Sequence, residues 1–158
     1  VYKRQALTEY DQMRVREGAK LREDVENRLC TIEALVSVVE ENAPRTVEEY
    51  QTRLRQKMEA VLAATDIDET RILTEAAIFA DHIAVDEETV RLRSHISQMR
   101  HMLQGGSPFG RKADFLIQEF NREANTIGSK CQNADIAKVV VDLKSEIEKI
   151  REQIQNIE

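Results

Sequence analysis

A chain of 158 residues that is 41% hydrophobic has enough apolar material for one ordinary core. Its net charge of -6 withholds the basic balance that nucleic-acid-binding domains usually carry. No apolar run approaches the roughly 20 residues that cross a bilayer, and no signal-peptide pattern is present. Charged residues make up 33% and aromatics 4%, with 5 Gly, 2 Pro and no Trp, which predicts long helices. The expected class is all-α: about six helices in three hairpins, forming a single domain over residues 1–158.

The first helix is expected from about Val1 to Glu41. Its apolar stripe includes Leu7, Tyr10, Leu21, Val25, Leu29, Ile32, Leu35, Val36 and Val39. Asn42-Ala43-Pro44 is expected to end it, because proline clashes with a continuing helix and restricts the residue before it. Thr46 then reads as the cap of a second helix, with Glu49 completing a capping box. Leu54, Met58, Val61 and Leu62 supply that helix's apolar side. Asp66-Ile67-Asp68 forms the next junction, and Asp68 is expected to cap a helix holding Ile72, Leu73, Ala76 and Phe79. Asp86 is expected to cap the following helix, with Glu87 and Glu88 at the positive end of its dipole. That helix carries Val85, Leu92, Ile96, Met99 and Leu103.

Gly105-Gly106-Ser107-Pro108 is the clearest linker, and its shortness predicts an antiparallel helix pair. The next helix, Gly110 to Lys130, is polar yet keeps a buried stripe of Leu116, Phe120, Ala124, Ile127 and Cys131. Asn133 or Asp135 starts the last helix. There Ile136, Val140, Leu143, Ile147, Ile150, Ile154 and Ile157 alternate steps of four and three, which is a heptad seam. Its partner is either the long first helix or a second copy of the chain. Cys30 and Cys131 fall on apolar faces and read as reduced core thiols, as in a cytoplasmic protein.

Glu119 and Glu123 are four apart, so a helix stacks two like charges on one face. A divalent cation would justify that arrangement; Arg122 between them or a basic partner would also do so. Other helices carry similar groups. Arg91 and His95 are four apart, and His95 adjoins the core stripe. Glu75 and Asp81 flank apolar positions, and Arg14, Glu17 and Asp24 share the side of Leu21. Helical bundles place metal sites on facing helices in this way, with carboxylates and a histidine pointing inward. Carboxylates suit magnesium or manganese, and an imidazole tilts the choice toward manganese. The ordinary reading is surface ion pairing worth at most about 1 kcal/mol per pair, with Arg14–Glu17 and Glu119–Arg122 as simple i, i+3 partners. His82 and His101 have no matching context and read as surface residues. Gly105-Gly106 is a turn, since no phosphate-loop pattern surrounds it, and no nucleotide cofactor is expected. No nucleophile motif accompanies Ser129 or Cys131.

Three stretches carry a resemblance. GRKADFLIQEFNREANTIGSK at 110–130, MRVREGAKLREDV at 13–25 and RILTEAAIFADHIAVDEETVRLRSHI at 71–96 are similar to blocks of the YicC/YloC-like bacterial proteins. They occur in the family's order. The resemblance covers essentially the whole chain but maps onto only the C-terminal half of a family member, so Val1 reads as a boundary rather than a natural start. Many members carry an acid where this chain has Ala84; the nearest acid here is Asp86.

The resemblance implies an endoribonuclease acting on RNA and assembling as a homo-oligomer, a hexamer when full length; the carboxylates and histidine add the expectation of metal dependence, and the reduced thiols and lack of an apolar span that of a cytoplasmic protein without a membrane. It raises the standing of a ligand set drawn from Glu17, Glu75, Asp81, His95, Glu119 and Glu123 for Mn2+ or Mg2+. Glu17, His95, Glu119 and Glu123 are the catalytic candidates. Arg14, Arg91, Arg111, Arg122 and Lys130 are candidates for RNA phosphates, since guanidinium geometry matches them. Asn125, Thr126 and Ser129 could bond sugars or phosphates. The rival readings are a non-catalytic RNA-binding adaptor and a pure oligomerisation module.

Overall fold

The apolar stripes do form helices, but the first two are one. In the computed structural model, residues 2–62, 68–105, 110–131 and 133–155 are described. Among them lie five helices: α1 Tyr2–Leu62, α2 Glu69–His82, α3 Asp86–Gln104, α4 Gly110–Lys130 and α5 Ala134–Gln155. The class is all-α. Val1, the Asp66-Ile67 junction, Gly106-Ser107-Pro108 and Ile157 lie outside the described residues, as do the side chains of Val61 and Leu62.

The expected break at Pro44 does not occur, because α1 runs straight through it. Proline removes the N–H that would bond the Glu40 carbonyl and costs about 3 kcal/mol in a helix interior. That cost is offset because both halves of α1 are pinned. Val25, Leu29, Ile32, Val36 and Val39 are all fully buried before it. Beyond it Tyr50 stacks on Phe79 of α2, with ring centroids 3.7 Å apart. Thr46 is therefore no N-cap. It is buried at 3% exposure, and its hydroxyl donates back to the Asn42 carbonyl at 3.2 Å. Glu49 pairs with Arg45 instead of closing a capping box.

Asp68 does cap α2, accepting from the Thr70 N–H at 3.0 Å. Asp86, by contrast, is the first helical residue of α3, and Val85 occupies the cap position without a side-chain bond. Leu73 is exposed, so α2 buries only Ile72, Ala76 and Phe79.

Residues 25–43 of α1 form a four-helix bundle with α3, α4 and α5, and α2 packs on the later part of α1. Polar contacts fix the directions. Arg93 of α3 bonds Glu40 and Arg100 bonds Glu26 and Glu33, so α3 runs against α1. Arg28 of α1 reaches Glu146 of α5 while Val39 and Ala43 line one small cavity with Ile136, so α5 is antiparallel to α1 as well. The seam residues Ile136, Val140, Leu143, Ile147, Ile150 and Ile154 are buried, and α1 of the same chain packs against that helix. Gly128 lets α4 and α5 approach closely: a Cβ there would sit 3.2 Å from Val140 Cγ1.

Three further stripe residues are exposed. Leu7 and Tyr10 are exposed, because residues 4–17 of α1 extend past the bundle with no described helix against them. Cys30 is also exposed. It sits on the polar edge of α1, where the Arg100 guanidinium donates to its sulfur at 3.4 Å. Cys131 is half-buried and free. No described helix is long and apolar enough to cross a membrane.

Candidate metal centre

The register of α3 against α4 sets the site. Phe120 is fully buried on the core face of α4. The ring of His95 on α3 meets it edge-on, with centroids 6.1 Å apart. One helical turn spans residues 119 to 123, so Glu119 and Glu123 flank that ring. His95, Glu119 and Glu123 each offer a ligand atom within 4.8 Å of the others. Two ligands on opposite sides of an ion with bonds near 2.2 Å lie ~4.4 Å apart, so the spacing is close to that of a bound set.

Burial sharpens the picture. Glu123 is only 2% exposed. Its one ion-pair contact among the described residues is Arg91 Nη1, at 3.6 Å. Both ring nitrogens of His95 are buried and lack a hydrogen-bond partner. His95 is half-buried as a residue, and leaving its two buried nitrogens unpartnered would cost on the order of 1–3 kcal/mol, which a bound water or a cation would offset. Glu119 is more open and contacts Arg122 at 3.6 Å, the i, i+3 pair expected from the sequence. One imidazole and two carboxylates form a donor set suited to manganese or a similar borderline-to-hard cation.

The other three candidate ligands do not converge on this point within the chain. Glu17 lies on the exposed extension of α1, and Glu75 and Asp81 are exposed on α2. Only His95, Glu119 and Glu123 form such a group among the described residues.

The candidate RNA contacts divide in the same way. Arg111, Arg122, Asn125 and Ser129 are exposed and recur at eleven-, three- and four-residue steps, which puts them on one outer stripe of α4. Glu119 and Glu123 border that stripe. The Ser129 and Thr126 hydroxyls donate back to main-chain carbonyls of Thr126 and Arg122. Arg91 is exposed on α3 and contacts Glu87 as well as Glu123. Arg14 is elsewhere, lying over the Tyr10 ring on the α1 extension at 5.8 Å. Lys130 is already engaged: its ammonium donates to the Ala84 carbonyl at 2.9 Å and to Glu88 at 2.7 Å. His82 and His101 are exposed, as expected.

Sequence reasoning missed the burial of Glu88, which is 4% exposed. It took the residue for dipole compensation at a helix start. The signal was available, since Glu88 falls three residues after Val85 and four before Leu92. The position of Glu123 is comparable, three after Phe120 and four before Ile127.

An antiparallel helical bundle with a histidine and two glutamates gathered between adjacent helices belongs to the class of helical domains that can hold a divalent cation between facing helices. The family described as Endoribonuclease YicC-like, C-terminal, matches residues 39–158, and this chain belongs to it. Over 154 residues it is 45% identical to the probable endoribonuclease YicC of Clostridioides difficile strain 630, covering 97% of this chain and 53% of that protein. Over 152 residues it is 41% identical to the probable endoribonuclease YicC of Haemophilus influenzae Rd, covering 96% and 52% respectively. The chain spans about half the length of these curated relatives.

Proposed function

We propose that this chain is the C-terminal part of an endoribonuclease that cleaves RNA with the help of a divalent cation held by His95, Glu119 and Glu123. The observation that carries this reading is the pair of buried, partnerless ring nitrogens of half-buried His95 beside two carboxylates. Its fit to a borderline cation points to Mn2+ before Mg2+. When bound, such a cation supplies Lewis acidity and a water of lowered pKa.

The chain's own residues do the rest. Arg111 and Arg122 on the outer stripe of α4 draw a phosphodiester to the edge of the cluster, and their forked donors fix its nonbridging oxygens. Asn125 and Ser129 sit on the same stripe and orient the sugar. Phe120 walls the inner side of His95 and keeps water from its ring. Within a full-length protein, residues 4–17 offer exposed Leu7, Tyr10 and Met13 to further copies of the chain.

The net charge of -6 favours one rival, an adaptor or oligomerisation module in RNA decay that itself cuts nothing. Cleavage of a labelled RNA by this chain and by a full-length relative, each with Mn2+, Mg2+ or EDTA, separates the readings. The nuclease reading expects metal-dependent cutting that Glu119→Gln and Glu123→Gln abolish. RNA binding that survives both substitutions, with no cutting by either protein, supports the adaptor.

A further inference from the structure

We infer that Arg91 is a displaceable counterion. It neutralises Glu123 while no cation is present, and a divalent cation seated on His95, Glu119 and Glu123 releases it to capture an RNA phosphate. The inference rests on the cation site proposed above and adds a coupling between the ion and the nucleic acid.

The two ends of Arg91 see different surroundings. Nη1 lies 3.6 Å from Glu123, which is too long for a hydrogen bond, so the attraction is coulombic. Nη2 is held by Glu87 one turn back on α3. The Arg91 side chain is 45% exposed while that of Glu123 is 2% exposed. One side of the guanidinium therefore balances a buried acid and the other is held by an exposed one, Glu87.

Charge counting then sets the direction. Two carboxylates and a neutral imidazole carry two negative charges, which one divalent cation cancels. Arg91 is surplus once the cation is in place and is repelled by it. Without the cation, Arg91 is what keeps the buried Glu123 carboxylate from standing uncompensated. Among the described residues no other cation pairs with Glu123. Lys130 is engaged with Glu88 and the Ala84 carbonyl. Arg122 pairs with Glu119 in the open, at 69% exposure, where solvent screens its effect. Because Glu87 retains Arg91 beside the site, the freed guanidinium stays at the edge of the cluster. Cation binding and phosphate binding then favour each other, and linkage makes that coupling reciprocal.

The test is a Mn2+ titration, with free ion read by electron paramagnetic resonance, on the wild-type chain and on Arg91→Gln, Arg91→Lys and Glu123→Gln. Arg91→Gln should bind Mn2+ about tenfold more tightly, equivalent to ~1.4 kcal/mol. Arg91→Lys should stay near wild type, and Glu123→Gln should lose binding. A variant that only disturbed packing would bind more weakly, so a gain is diagnostic. In parallel, affinity for a nuclease-resistant 2′-O-methyl RNA oligonucleotide should rise with Mn2+ in wild type and rise much less in Arg91→Gln. If wild type binds Mn2+ but Arg91→Gln binds it no better, the counterion role is overturned while the cation site stands. If Mn2+ strengthens RNA binding equally in both proteins, phosphate capture by Arg91 is overturned. If wild type binds no Mn2+, the cation site fails and the inference fails with it.

Discussion

Lys130, the last residue of α4, donates its ammonium to Glu88, a carboxylate only 4% exposed in the first turn of α3, across 2.7 Å. A second bond to the Ala84 carbonyl makes the lysine a clasp between the end of one helix and the start of the other. Together with the Phe120–His95 contact, the clasp sets the α3–α4 register on which the His95, Glu119, Glu123 grouping depends.

Lys130→Ala should therefore destabilise the fold. It leaves a buried carboxylate unpaired, and with Lys130 itself partly exposed the expected loss is about 2 kcal/mol. Urea unfolding measures it. Glu88→Gln combined with Lys130→Ala should recover part of that loss, because no buried charge is then left alone.

Pro44→Ala should stabilise the chain. It restores a backbone bond to the Glu40 carbonyl within a helix that forms regardless. The gain is offset by the greater freedom of the unfolded chain, leaving about 2 kcal/mol. Thermal melts of the two proteins would show it as a raised Tm.

Acid should weaken the α1 interfaces first. The Arg93 guanidinium bonded to Glu40 holds its carboxyl below the ordinary 4.5. Lys149, and after it Arg28, do the same for Glu146 against the opposing effect of burial. Both folded pKa values are depressed, so the stabilisation is complete above about 4.5 and is lost as pH falls through the lower folded values. Denaturant midpoints measured from pH 6 to about pH 3 should decline through that window. Glu40→Gln should flatten the decline at a neutral-pH cost below about 1 kcal/mol.

His95→Leu should separate stability from function. Removing two buried nitrogens that lack partners relieves a cost of about 1 kcal/mol. The variant should melt at or above the wild-type temperature and yet bind no Mn2+. A lower Tm together with unchanged Mn2+ binding would contradict the assignment of His95.

Much of this was legible in the chain. The heptad seam of Ile136 to Ile154 and the stripe of Leu116 to Ile127 are buried where their spacing placed them, since apolar periodicity reports directly on which face packs. The Glu119–Glu123 repeat with His95 was legible for a related reason: all three border those stripes. The errors have physical causes. Pro44 breaks a helix only if nothing else holds it, and here tertiary burial on both sides outweighs the local rule. Leu7 and Tyr10 keep a helical period without any partner within the chain, and a period alone does not show what it packs against. Glu17, Glu75 and Asp81 lie apart from the His95 group within the chain, and spacing along one helix cannot say which helices face each other.

The most direct single measurement is Mn2+ binding to the wild-type chain and to His95→Ala, Glu119→Gln and Glu123→Gln, by calorimetry at neutral pH. One ion bound per chain, weakened at least tenfold by each substitution, is the result expected when three ligands act together. Binding that survives all three substitutions, or no binding to wild type at all, would contradict the metal centre on which the nuclease reading rests.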